Sequence, residues 1–161
     1  MLGGASTGLP RFAEAADNGP ESEVLQKTVV IAELLAGGGA EVGDVLRILD
    51  AGAKAPAGGR IHRIDRGTYI SIVEPHKGDR SHLVNQVQIY PQPGLALKFR
   101  ALVSVLGEWS EIHRGQTSSV RFDFKGQKSK GEAAIFVQIS SFPERPQATV
   151  LRISIRVPAI Q

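Results

Sequence analysis

From residue 82 onward the chain alternates apolar and polar positions in successive runs, each closed by Gly, Pro or Ser. Successive side chains of a strand point to opposite faces, so the runs His82–Tyr90, Leu95–Leu106, Ser119–Lys125, Ala133–Ser141 and Thr149–Val157 predict five consecutive strands. In the last of them Leu151, Ile153, Ile155 and Val157 share one face, and Arg152, Ser154 and Arg156 share the other. One face is therefore core and the other is wet, and the short turns between runs predict an antiparallel meander. Upstream, Thr68–Glu74 is dense in β-branched and aromatic residues and is stopped by Pro75. Arg60–Ile64 is short and charged, which suits an edge strand.

The period changes before residue 58. Val24, Thr28, Ile31 and Leu35, with Leu25, Val29 and Ala32 beside them, recur at spacings of three and four and predict an amphipathic helix from about Glu21. Ser22 is its expected N-cap, Glu21 and Glu23 suit the positive end of the helix dipole, and Gly37-Gly38-Gly39 stops it. Val42, Val45, Leu46, Leu49 and Ala53 stripe a second helix over Ala40–Ala53. The glycine triplet is read as a turn and not as a phosphate cradle, since it follows a helix and lacks the Lys of such loops. Residues 1–19 show no sustained period and are expected to be a mobile terminus.

These elements define an α+β plan. Residues 20–161 are expected to form one domain, with an N-terminal helical pair over 21–54 and an antiparallel β region over 58–158. Six or seven strands would close into a β-barrel or a strongly curled sheet. The length of 161 residues, with 42% hydrophobic and 22% charged residues, supports one such core. There is no cysteine, which excludes a disulfide framework, a thiolate metal site and a cysteine nucleophile. No apolar run approaches the ~20 residues that a membrane-spanning helix needs, and the start of the chain lacks the plan of a secretory signal, so a soluble protein is expected.

Charge sharpens the picture. The net +3 conceals an acidic first part, with four Lys or Arg against eight Asp or Glu over residues 1–56, and a basic remainder, with fifteen against eight. Either the acidic helices fold onto a basic sheet or the sheet awaits an anionic partner. Lys98, Arg100, Arg121, Lys125, Arg152 and Arg156 all occupy polar-phase positions and predict a basic stripe on the outer face. Nucleic acid is disfavoured as its partner, because single-strand binders interleave stacking aromatics with their cations, whereas Phe99, Phe122 and Phe124 belong to the apolar phase.

Catalytic groups are sparse. His62, His76, His82 and His113 are not spaced as ligands on one element, and basic neighbours of three of them oppose metal binding. Glu108 and Glu111 flank Trp109, where an indole could raise a carboxyl pKa, yet the run GEWSEIHRG reads as a turn or strand end. Ser71, Ser118, Ser119 and Ser140 lie in no G-x-S-x-G elbow. The chain is therefore read as non-enzymatic, with no catalytic residue, metal or cofactor.

The runs Leu83-Val84-Asn85-Gln86-Val87-Gln88-Ile89, Leu95-Ala96-Leu97-Lys98-Phe99-Arg100-Ala101 and Ser119-Val120-Arg121-Phe122-Asp123-Phe124 resemble the central strands of the plastid-lipid-associated (fibrillin) proteins. The resemblance spans roughly residues 22–125 and transfers no functional residue. It implies a lipocalin-like barrel behind two helices, lipid binding without catalysis, and a plastid location. The leading expectation is thus a carrier or scaffold for an apolar or amphiphilic small molecule, held in the barrel interior near Phe99, Phe122, Ile135 and Ile153. The alternative is a protein–protein interaction or assembly subunit that uses the basic sheet face, with an anionic surface or protein as partner.

Overall fold

The computed structural model describes residues 19–49 and 60–157. The expected mobile segment 1–19, apart from Gly19, lies outside the described residues, as do the predicted end of the second helix beyond Leu49, residues 58–59 of the β region, and residue 158.

Helix α1, Pro20–Ala36, begins one residue before the predicted start. Its N-cap is Gly19, not Ser22, which lies buried inside the first turn. Proline sets its own φ near the helical value and has no N–H to leave unpaired, so Pro20 starts the helix. Past Gly37, Gly38 and Gly39 take φ of 72° and 66°, turning the chain in a region that side chains resist. Helix α2, Val42–Leu49, follows at once. The backbone N–H of Val42 donates to the His82 carbonyl at 2.9 Å, and that of Val84 donates to the Ala40 carbonyl at 2.8 Å. Lys27 Nζ donates to the Ile48 carbonyl at 2.6 Å, tying α1 to the end of α2.

Strands β1 (His62–Asp65), β2 (Tyr69–Pro75) and β3 (Val84–Pro91) form an antiparallel meander. The predicted strand Leu95–Leu106 is not a strand. Residues Pro93–Leu95 make a 3-10 turn, Lys98 forms a single bridge with Thr149, and Phe99–Leu106 is helix α3. The run carries two periods at once: Leu97, Phe99, Ala101, Val103 and Val105 alternate, but Phe99, Leu102, Val103 and Leu106 are also a helical stripe. Twelve residues is about twice the usual strand length, and the helical stripe is the one that buries Phe99 and Leu102 completely. The helical layer is thus three helices among the described residues, not an N-terminal pair alone.

Helix α3 carries the chain to the far edge of the sheet. Strands β4 (Ser110–His113), β5 (Ser118–Lys125), β6 (Glu132–Ile139) and β7 (Val150–Arg156) then return by hairpins until β7 pairs with β3. The order is β1-β2-β3-β7-β6-β5-β4, every neighbouring pair is antiparallel, and β1 and β4 do not meet. Two meanders share one open sheet, so the expected barrel is corrected to an unclosed layer. Its apolar side chains sit in rows such as Val73, Val87, Ile155, Ile135 and Phe122, which the register places side by side. Helices α1, α2 and α3 contribute Ile31, Leu35, Leu46, Leu49, Phe99 and Leu102 to the same cluster. All three therefore cover one face of the sheet, the one toward which the apolar phase points.

The β5–β6 hairpin is anchored to the end of α1. The Glu33 carboxylate accepts the backbone N–H groups of Gln127 and Lys128 at 2.9 and 3.1 Å. Gly131 runs so close to the helix that a Cβ there would lie 1.9 Å from the Ala36 carbonyl oxygen. Among the described residues no helix is long and apolar enough to cross a membrane.

Candidate functional site

Phe99, Phe122, Ile135 and Ile153 are brought together, but within the core between helices and sheet. Phe99 arrives from α3 rather than from a strand, and its ring lies 6.0 Å from that of Phe122 and 5.6 Å, edge-on, from Trp109. All four residues are 0–2% exposed. They are enclosed by helices instead of by a closed wall of strands.

The basic stripe divides. Lys98 is the N-cap of α3 and Arg100 lies in its first turn, so both leave the sheet surface. Arg121, Lys125, Arg152 and Arg156 remain on polar-phase positions of β5 and β7. The register sets Arg121 beside Phe136, Phe136 beside Ser154 and Ser154 beside Gln88, with Arg152 and Arg156 two residues to either side of Ser154 on β7. These residues share the face opposite the helices.

Phe136 is the centre of that face. Arg156 Cζ stands 4.5 Å and Arg121 Cζ 5.3 Å from its ring centroid, so the ring is held between two guanidinium groups. Its half-buried position on an outward phase draws stabilisation from its quadrupole facing both cations. Arg121 Nε also donates to Asp123 at 2.7 Å, and Arg156 Nε donates to Gln86 Oε1 at 3.0 Å. Among the described residues no carboxylate pairs with Arg152. A second such arrangement joins the β4–β5 turn to the β6–β7 loop, where Arg114 of the turn and Arg145 of the loop both stand 5.1 Å from the Phe142 ring and Glu144 binds Arg114 through both oxygens at 2.7 and 2.9 Å.

Ser154 was legible only as one polar residue among several, yet it is 1% exposed and its hydroxyl has no hydrogen-bond partner among the described residues. Its outward phase puts it on the floor beneath Arg152, Arg156, Phe136 and Gln88. A neighbouring expectation changes for the same reason: Leu151 is 39% exposed and Val150 is buried, because the register slips between Gln138 and Ile139 where β6 meets β7. The strand phase therefore reverses at the start of β7.

The titratable candidates do not converge. His62 lies in β1, His76 just past β2, His82 just before β3 and His113 at the end of β4. Desolvation holds the His62 and His76 pKa values below the ordinary imidazole value, with nearby Arg60 and Arg80 adding to the shifts. The cations responsible are therefore not the sequence neighbours Arg63 and Lys77. Glu111 is ion-paired to Arg114 at 2.7 Å, and Trp109 turns its ring to Phe99 instead of sheltering an acid. Among the described residues no three His, Cys, Asp or Glu side chains are grouped as a metal site.

No family model, no curated protein and no solved structure matches this chain. Of the runs that carry the resemblance to plastid-lipid-associated proteins, the first falls on β3 apart from Leu83, the third lies within β5, and Leu95–Ala101 is turn, bridge and helix.

Proposed function

We propose that the protein is a non-enzymatic interaction or assembly subunit whose outer sheet face receives an anionic protein partner. One observation carries this reading: the described helices all pack on the apolar face, while the opposite face presents Arg121, Arg152 and Arg156 around Phe136. The acidic first part of the chain does not neutralise this patch among the described residues. Glu33 is engaged by the β5–β6 hairpin and Glu23 accepts the Thr68 hydroxyl at 3.2 Å, both away from the arginines. The electrostatic complement of the basic sheet is then sought beyond the described residues, in a partner protein.

The carrier reading needs an enclosed interior, and the open sheet with its helix-covered core gives it less support than the patch gives the assembly reading. One salt titration separates them. A fluorescein-labelled peptide with Glu at alternate positions should bind at low salt and release as ionic strength rises, because the Debye length falls from about 10 Å at 0.1 M to about 3 Å at 1 M. The double variant Arg152→Glu/Arg156→Glu should abolish the binding. Uptake of an apolar dye that survives salt, with no binding of the acidic peptide, would instead establish the carrier.

A further inference from the structure

The outer face contains a polar group that no described residue satisfies. Ser154 lies at the middle of β7, flanked across the sheet by Gln88 and Phe136 and along its strand by Arg152 and Arg156. Its hydroxyl is buried and makes no hydrogen bond among the described residues, whereas buried polar groups are nearly always paired. Gln88 cannot readily turn to it as an acceptor, since its Oε1 already accepts the Tyr90 hydroxyl at 2.9 Å. Ser71 is another buried serine without a partner among the described residues, but it belongs to the apolar phase and faces the core.

We infer that Ser154, Arg152 and Arg156 form a receiving site for a single carboxylate side chain of an acidic protein segment. This rests on the assembly reading above and names where the partner's charge is read. A carboxylate is an acceptor with two oxygens, so once the side chains that cover the Ser154 hydroxyl move aside one oxygen can take it while the other takes guanidinium N–H groups. Arg156 is already held on this face, because its Nε donates to Gln86 and its guanidinium stands over Phe136, and neither contact uses its terminal nitrogens. Arg152 stands two residues to the other side of Ser154 on β7, and no carboxylate among the described residues pairs with it.

The surrounding charge favours carboxylates spaced along an extended peptide over a dense row of phosphates. Asp123 holds Arg121 on β5, two strands from β7, and Glu74 lies in the same cross-strand row as Arg156. These acids reduce the face to a small positive excess and would repel the closely spaced phosphates of nucleic acid. Phe136 already has Arg121 and Arg156 over its ring, so a stacking base would compete with both cations for it. An extended peptide, by contrast, presents alternate side chains to one surface at the spacing of the strand beneath it.

The test uses the full chain and fluorescence anisotropy with three labelled peptides: the alternating-Glu peptide, its Gln counterpart and its phosphoserine counterpart, with a single-stranded DNA oligomer as a fourth probe. Ser154→Ala should weaken the Glu peptide about tenfold, because a hydrogen bond to a charged group is lost. The same substitution removes an unpaired hydroxyl, so the thermal midpoint should hold or rise. The Gln peptide should not bind. If Ser154→Ala leaves affinity unchanged while Arg152→Glu/Arg156→Glu abolishes it, the carboxylate site is wrong and the assembly reading stands. If the phosphoserine peptide or the DNA binds more tightly than the Glu peptide, the partner class is wrong. Indifference of every probe to the charge reversals would overturn both readings.

Discussion

The two faces of the sheet are built from alternate residues of the same strands, and they hold themselves together by different physics. On the helix-covered face Phe122 and Ile135 are register partners, and both are fully buried among apolar neighbours. One residue away on each strand, Arg121 and Phe136 are partners on the other face, and there an aromatic ring is held by cations in contact with water. The inner face is stabilised by area removed from water, which salt does not screen. The outer face is held by ion pairs and cation–π contacts, individually small and screened by salt. A surface of that second kind can exchange its internal partners for external ones, which the packed face cannot do without unfolding.

Truncating the two phenylalanines tests this difference most severely. Phe122→Ala should cost about 3–5 kcal/mol in chemical denaturation, through lost burial and the cavity left in the core. Phe136→Ala should cost only about 1–2 kcal/mol, the sum of two partly exposed cation–π contacts and modest burial. Equal losses would mean that the outer face is covered as thoroughly as the inner one.

A smaller effect is expected where the helical layer meets the sheet. Gly131→Ala places a methyl group against the Ala36 carbonyl, so either the β5–β6 hairpin or the end of α1 must shift. Overpacking of this sort costs about 1–3 kcal/mol. Hydrogen exchange should then quicken at Gln127 and Lys128, whose N–H groups lose the Glu33 carboxylate. Unchanged protection at both amides would show that the hairpin is held by its own turn. Smaller again is Arg121→Ala, expected within about 0.5 kcal/mol of neutral because its ion pair with Asp123 is exposed on the surface.

The legibility of the two faces in the sequence follows from the range of the interactions that build them. The alternation of Val120, Phe122, Ile135 and Val137 is local, and the strands that carry it lie within a residue or two of where the pattern puts them. Leu95–Leu106 defeats the pattern because a stretch of dense apolar residues satisfies both periods, and the choice is made by what α3 buries in three dimensions. The openness of the sheet depends on β7 pairing with β3, more than sixty residues apart in the chain, and no local period encodes that. The candidate site was half visible: the phase of Arg152 and Arg156 is local, but the burial of Ser154 needs Gln88 and Phe136 from two other strands. Lys98 and Arg100 belong to the stripe only if their run is a strand, and it is the start of α3.

The smallest expected effect is a pH dependence carried by the histidines at the margins of the sheet. His62 lies at the edge, on the phase that faces the core, with its Nε2 buried and unpaired among the described residues, and His76 follows β2. Desolvation lowers both pKa values in the folded protein, with Arg60 and Arg80 adding to it. In the unfolded chain each imidazole titrates near its ordinary value of about 6.5. The unfolded state therefore binds more protons in the interval just below that value, and stability rises with pH through it. The contribution is complete above the unfolded pKa and declines as the pH falls from about 7 toward the lowered folded values, below which it is flat. Urea midpoints measured between about pH 7 and pH 5 should fall slightly, and His62→Asn should flatten the part of the slope that His62 carries. A slope of the opposite sign, with stability gained on acidification, would mean that the imidazoles find anionic partners in the folded chain and that the edge of the packed face is polar where it should be dry.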